Sequence, residues 1–198
     1  MNPLNTIQIL LVVAHQGYQP IEYTIPKYLL EAEGIKVVTA SNKPGVATVN
    51  NVRKSKYPIT LKNGTTKKVD LLLKTKVDVT LDQVNPQDYD GIFFIGGPGA
   101  MENLDNKTSH DIIKKMAELN KPFGAICISP RILAKAGVLA GKKRATGWND
   151  DSKLAGIFKK YDVKYIKEDV VVDGNIVTGT SPAAARDFGY AIIDVVKK

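Results

Sequence analysis

The sequence predicts an α/β sandwich in which a mostly parallel sheet is covered by helices on both faces. Three observations carry this. Apolar runs alternate with helix-period segments along the chain, the pattern of strands buried between covering helices. The first strand, helix and second strand close within about forty residues, the span of one βαβ unit. No repeat, low-complexity tract or interdomain linker interrupts the 198 residues, so a single domain, 1–198, is expected.

The elements follow in order. IQILLVVA (7–14) reads as a buried strand. IEYTIPKYLLEAEG (21–34) places Ile21, Ile25, Leu29 and Ala32 at helical spacing, with Gly34 as the C-cap. IKVVTAS (35–41) is the second strand. Residues 42–85 depart from the alternation. KYPITLKNGTTKKVDLLLK holds two strand-like runs around Asn63-Gly64, a pair suited to a tight hairpin turn. An extra β-hairpin within 43–76 is therefore expected, with KVDVTLDQVNP returning towards the core. YDGIFFIGGPGA (89–100) is a buried strand ending in a glycine-rich loop. SHDIIKKMAELNK (109–121) is a helix with Ser109 as its N-cap. PFGAI (122–126) is a strand, and SPRILAKAG (129–137) is a helix with Pro130 in the first turn, where no N–H is needed. KRATGW (143–148), EDVVVDGNIVTG (168–179) and a closing helix AAARDFGYAIIDVVKK complete the pattern.

Composition narrows the partners. The formal net charge is +8. The lysines are scattered, as in LKNGTTKKVD, IKKMAELNK and GKKRATG, rather than set in an arginine stripe with aromatics. That reads as a solvated basic surface, and nucleic acid is not an expected partner. The first apolar run is about seven residues, too short to span a membrane, and it lacks a basic leader and a cleavage site. No membrane partner, metal or cofactor is expected. A single cysteine cannot form an internal disulfide, which fits a reducing cytoplasm.

That cysteine, Cys127, has two readings: a small hydrophobe in the core, or a thiol displayed at a strand-to-helix turn. Ligands of open α/β sheets gather beyond the carboxyl ends of the parallel strands, and Cys127 lies at such an end. Backbone N–H groups at the following helix start would stabilise a thiolate. GGPG (96–99) follows another strand, so its N–H groups can approach the same rim as an oxyanion hole does; the plainer reading is a tight turn. Glu22 lies in the first turn of the first helix. It either serves the helix dipole or points over the rim into a half-buried site. His15 ends the first strand and can reach that rim, whereas His110 sits in a helix start and reads as a surface residue.

In that order, GYQPIEYTIP, GIFFIGGPGA, GAICISPRILAKAGVLAGKK and VVVDGNIVTGTSP resemble the ThiJ/PfpI superfamily, closest to its PfpI-like branch. The resemblance runs from about residue 7 to the C-terminus and implies a flavodoxin-like sandwich with Cys127 at a nucleophile elbow. It implies that Glu22 is the acid beside the sulfur and that the N–H groups of Gly97 and Ile128 form the oxyanion pocket. It also implies a homodimer or higher homo-oligomer. With Glu22 protonated beside it, the thiol is expected to ionise below its ordinary pKa of about 8.5.

The chain departs from the family pattern where it matters for hydrolysis. PfpI-type proteases carry CHGP, and this chain reads CISP. Relatives that place a histidine after the later strand correspond here to Gly147 and Trp148. Trp148, Asn149 and Asp150 are candidates to line the pocket, and His15 to replace the missing base. Three functions follow. The first is a small-molecule enzyme acting on reactive aldehydes, glyoxalase- or deglycase-like, with Cys127 as nucleophile and Glu22 moving the proton. The second is a non-enzymatic, redox-responsive protein working through oxidation of Cys127. The third, a PfpI-like peptidase, is disfavoured because Ile128 cannot accept a proton.

Overall fold

In the computed structural model, which describes residues 6–50 and 55–198, strand β1 (Gln8–Val13) has its side chains buried on both sides of the sheet from Ile9 onward. Leu10 and Val12 join one core with Ile92 and Phe94, while Ile9, Leu11 and Val13 join the other with Phe93 and Ile95. Because side chains alternate along a strand, covering both faces requires a continuous apolar run, which is how β1 reads. Helix α1 (Pro20–Ala32) and strand β2 (Lys36–Ser41) complete the first parallel unit.

The chain then leaves the sheet. β3 (Val46–Thr48) pairs antiparallel with β6 (Lys74–Lys76), and between them β4 (Lys56–Thr60) pairs antiparallel with β5 (Thr66–Asp70). The expected hairpin is present, but its turn is longer than a two-residue Asn-Gly reversal. Leu61 N–H donates to the Thr65 carbonyl, and Gly64, at φ 81°, donates to the Leu61 carbonyl. The excursion is fastened to the loop before α1: Gly17 N–H donates to the Thr48 carbonyl at 2.8 Å, and Tyr18 Oη–H to the Leu72 carbonyl at 2.5 Å.

The sheet resumes with β7 (Val79–Thr80) and β8 (Gly91–Phe94). Helices α2 (Ala100–Leu104) and α3 (Lys107–Glu118), strand β9 (Phe123–Ile126) and helix α4 (Pro130–Lys135) follow. Next come β10 (Arg144–Ala145), α5 (Leu154–Lys160), β11 (Lys164–Tyr165), the hairpin β12 (Val170–Asp173) and β13 (Ile176–Gly179), and α6 (Ala185–Val196). The seven-stranded sheet runs β12-β13-β9-β8-β1-β2-β7, parallel throughout except for β12. Helices α1 and α6 pack on one face, α3, α4 and α5 on the other. This is the flavodoxin-like α/β sandwich that the sequence predicts. None of the described helices is long and apolar enough to cross a membrane.

Several local expectations change. The N-cap of α3 is Asn106, whose Oδ1 accepts from Ser109 N–H at 3.0 Å; Ser109 itself is buried in the first turn. The KRATGW segment does not join the main sheet, because β10 pairs with β11 in a separate two-stranded ribbon. The stripe on α1 is also turned: Ala32 is exposed, and Glu22, Tyr23, Pro26 and Leu30 are buried with Ile25 and Leu29. A helix held between sheet, excursion and α6 buries more than one stripe.

Candidate active site

Three neighbouring strands deliver the site. Beyond the carboxyl end of β1 the chain enters α1 and brings Glu22. Beyond β8 it forms the Gly96-Gly97 turn, and beyond β9 it reaches Cys127. The chain passes from β1 to β2 on one side, while β8 lies on the other, so this is the crevice where the strand order reverses. Cys127 has φ 65°, the left-handed region that a residue with a side chain enters at a cost of about 1–3 kcal/mol. Its backbone is held on both sides. The Cys127 N–H donates to the Gly179 carbonyl at 2.9 Å, and Trp148 N–H donates to the Cys127 carbonyl at 2.7 Å. These bonds turn the partly exposed thiol to the rim at a sharp strand-to-helix elbow.

Gly96 stands between thiol and acid. A Cβ there would lie 2.6 Å from Cys127 Cβ and 2.7 Å from Glu22 Oε2, so no larger residue fits without moving one of them. The Gly96 N–H donates to Glu22 Oε2 at 3.1 Å. Glu22 is fully buried rather than half-buried, and its Oε1 has no hydrogen-bond partner within the normal geometry. Gly97, at φ 118°, would drive a Cβ to 2.4 Å from the Gly17 carbonyl oxygen, so only glycine allows the turn to pass this close.

Burial pushes the Glu22 carboxyl up to about 8, against weaker downward pulls from the Cys127 side chain and the Gly96 N–H. Burial likewise pushes the Cys127 thiol up, and a charged Glu22 pushes it further, while the N–H groups of Ile128 and Gly97 pull it down. A thiol ionising below its ordinary range is therefore not what burial beside a carboxylate gives. Upward pressure on both groups has one common meaning: two anions side by side are disfavoured in a dry site, and the pair keeps at least one proton near neutrality. When that proton sits on Glu22, the carboxylate's repulsion of the sulfur is gone.

A cavity of about 410 Å³ opens over the thiol, lined by Gln19, Glu22, Gly97, Pro98, Cys127, Ile128, Trp148 and Pro182. Trp148 is thus brought to the pocket together with Cys127, Glu22, Gly97 and Ile128. The other candidates are used elsewhere. Asn149 Oδ1 accepts from Leu154 N–H at 2.8 Å at the start of α5, and Asp150 Oδ2 accepts from Trp148 Nε1–H at 3.0 Å. His15 is outside this lining; its Nε2 sits 3.1 Å from the Pro44 carbonyl oxygen. His110 is part-buried against Asp105 at 2.9 Å rather than a free surface residue.

The sequence reading passed over Arg131, which is 5% exposed and pairs with both oxygens of Asp151, at 3.0 and 2.6 Å. The one signal available was a cation among apolar residues, one helical turn after Cys127. Among the described residues, no group of three or more histidine, cysteine, aspartate or glutamate side chains forms a metal site.

A model of the DJ-1/PfpI family matches residues 7–195. An uncharacterized protein of Methanocaldococcus jannaschii is 32% identical, covering 98% of this chain and 85% of its own. A protein named deglycase PfpI, from Pyrococcus furiosus, is 34% identical over 89% of this chain and 91% of its own. Among solved structures, a ThiJ/PfpI domain protein from Brachyspira murdochii superposes with a TM-score of 0.79 at 26% identity, covering 97% of both chains.

Proposed function

Because the chain belongs to the DJ-1/PfpI family, we propose that it is a stress-related protein acting on reactive aldehydes, with Cys127 as nucleophile and Glu22 as its proton partner. One observation carries this reading: a fully buried carboxyl and a displayed thiol meet across Gly96 at the floor of a small cavity. Relatives that bear the name deglycase agree with it.

On an α-oxoaldehyde such as methylglyoxal, the Cys127 thiolate attacks the aldehyde carbon. The C=O electron pair moves to oxygen beside the Gly97 and Ile128 N–H groups, and Glu22 gives that oxygen its proton. The product is a hemithioacetal. Glu22, now a carboxylate, removes the proton from the former aldehyde carbon and returns it to the neighbouring carbon, while the hydroxyl proton passes from the first oxygen to the second, which yields a lactate thioester. Water releases lactate and restores the thiol. One carbon is oxidised as its neighbour is reduced, so no external oxidant enters. Purified protein should convert methylglyoxal to lactate, and Cys127→Ala should not; no lactate from the wild type would overturn the reading.

A second reading is a redox-responsive protein. The free Oε1 of Glu22 favours it, since a protonated carboxyl there can hold a sulfinate formed on Cys127. Peroxide treatment followed by mass spectrometry, with no lactate formed, would select this reading. Peptide hydrolysis is disfavoured, because His15 is engaged at Pro44, His110 at Asp105, and Ile128 offers no base. The proposal includes a cytoplasmic homodimer; light scattering should give a mass well above 21.6 kDa at micromolar concentration.

A further inference from the structure

Trp148 is held more firmly than a pocket wall requires. Its N–H is bound by the Cys127 carbonyl, and its own carbonyl accepts from Arg131 Nη2 at 3.2 Å. The Arg131 guanidinium lies 5.3 Å from the Trp148 ring centroid, and the indole Nε1–H is held by Asp150. Arg131 reaches this loop from α4, the helix that begins just after the thiol. Nucleophile and wall are therefore parts of one braced unit.

The charge balance of the unit has a chemical consequence. Both oxygens of Asp151 engage the guanidinium, so this cation is neutralised and turned into the 148–151 loop. Among the described residues, the lining contains no lysine, arginine or histidine; its ionisable groups are Glu22 and Cys127. The remaining walls are Gln19, Gly97, Pro98, Ile128, Trp148 and Pro182, mostly apolar. An anionic substituent entering here would lose water and meet no cation among these residues, whereas an apolar one would be sheltered.

We infer that Arg131 and Asp151 hold Trp148 as the selectivity wall of the Cys127 pocket, so that the thiol takes neutral electrophiles bearing an apolar group and turns away anionic ones. For substrates, which rests on the aldehyde reading above, this means α-oxoaldehydes with an aryl or branched alkyl substituent in preference to carboxylated ones. Arg131 and Asp151 are positioning residues, and Trp148 is the surface that contacts the substituent.

The test uses alkylation, which needs no turnover: the sulfur displaces iodide and a C–S bond forms. Rates at Cys127 are measured with iodoacetamide, N-benzyl iodoacetamide and iodoacetate, and each ratio is divided by the same ratio for 2-mercaptoethanol. The thiolate fraction cancels within each ratio, the division removes the probes' own difference in reactivity, and about 0.15 M salt screens the protein's positive charge. The wild type should favour the benzyl probe over iodoacetamide, and disfavour iodoacetate, by about tenfold each, or about 1.4 kcal/mol. Trp148→Ala should lose most of the benzyl preference. Asp151→Asn, nearly isosteric, should leave Arg131 unneutralised, relax the iodoacetate penalty several-fold and shift the emission of Trp148, the only tryptophan.

Wild-type ratios within twofold of the free thiol would overturn the inference, even if methylglyoxal is turned over. So would a benzyl preference that survives Trp148→Ala in a folded variant. Strong selectivity without lactate formation would remove the aldehyde reading and leave the wall in place.

Discussion

Replacing Glu22 by glutamine should change how stability depends on pH. Glu22 ionises near 8 in the folded chain against an ordinary 4.5, because burial penalises its charged form. Between those values the folded state binds a proton at Glu22 that the unfolded state has released, so wild-type stability falls as pH rises. The slope from this one group approaches about 1.4 kcal/mol per pH unit, and over the whole window the loss is about 5 kcal/mol. The contribution is fully present below the unfolded pKa and is lost as pH passes the folded one. Glu22→Gln keeps the size of the side chain and an acceptor for the Gly96 N–H, yet cannot ionise. Exposed carboxylates such as Asp111 and Glu33, whose pKa values are lowered by Lys107 and Lys197, contribute alike to both proteins and cancel. Urea unfolding at pH 5, 6.5 and 8, at one fixed protein concentration, measures the effect. The variant should gain several kcal/mol on the wild type between the first and last pH. Parallel curves for the two proteins would show that Glu22 is ionised throughout, and the shared-proton account of the site would fail.

Burial and a charged Glu22 both push the Cys127 thiol up, so iodoacetamide should label it near pH 6–7 more slowly than a thiol of ordinary pKa; Glu22→Gln, which removes the carboxylate and keeps the burial, should label no more slowly than the wild type. Slower labelling in Glu22→Gln would mean that the carboxylate acts as a base, not as a proton donor. Gly96→Ala should cost ~1–3 kcal/mol of stability and slow labelling, because the new methyl meets Cys127 Cβ at 2.6 Å; an unchanged labelling rate would deny that the glycine sets the spacing. Casein should remain intact with wild-type protein; cleavage that disappears in Cys127→Ala would return His15 to consideration.

The sheet was legible in the sequence because β1, β8 and β9 bury both faces, and such strands must be written as unbroken apolar runs. The positions of Cys127 and Gly97 followed from the same logic, since each comes directly after one of these strands. What could not be read depended on residues far apart in the chain. The burial of Glu22 comes from the orientation of α1 under the excursion, and helical spacing alone put the apolar stripe on Ile21 and Ala32 instead. His15 looked free to face the rim, but the Pro44 carbonyl, brought close by the turn after β2, takes its ring. The Arg131–Asp151 pair joins residues twenty positions apart across a loop of no regular pattern, so neither partner announces the other. Ser109 looked like a cap because it precedes the apolar residues of α3, whereas the side-chain acceptor that closes that helix belongs to Asn106.

The fastening of the excursion to the loop before α1 makes its two ends unequal as places to alter the protein. Its outer end, the reversal at Asn63-Gly64, is exposed and touches the body chiefly through Lys62 against Tyr190 and Asp194. A foreign epitope spliced in there would hang from a surface turn. Its inner end bonds Gly17 and Tyr18, and Leu72 N–H donates to Thr24 Oγ1 at 2.9 Å, inside the helix that carries Glu22. Shortening the ribbon at that end would leave the entry to the pocket without its brace, so an engineer reshaping this protein has a free tip and an untouchable root.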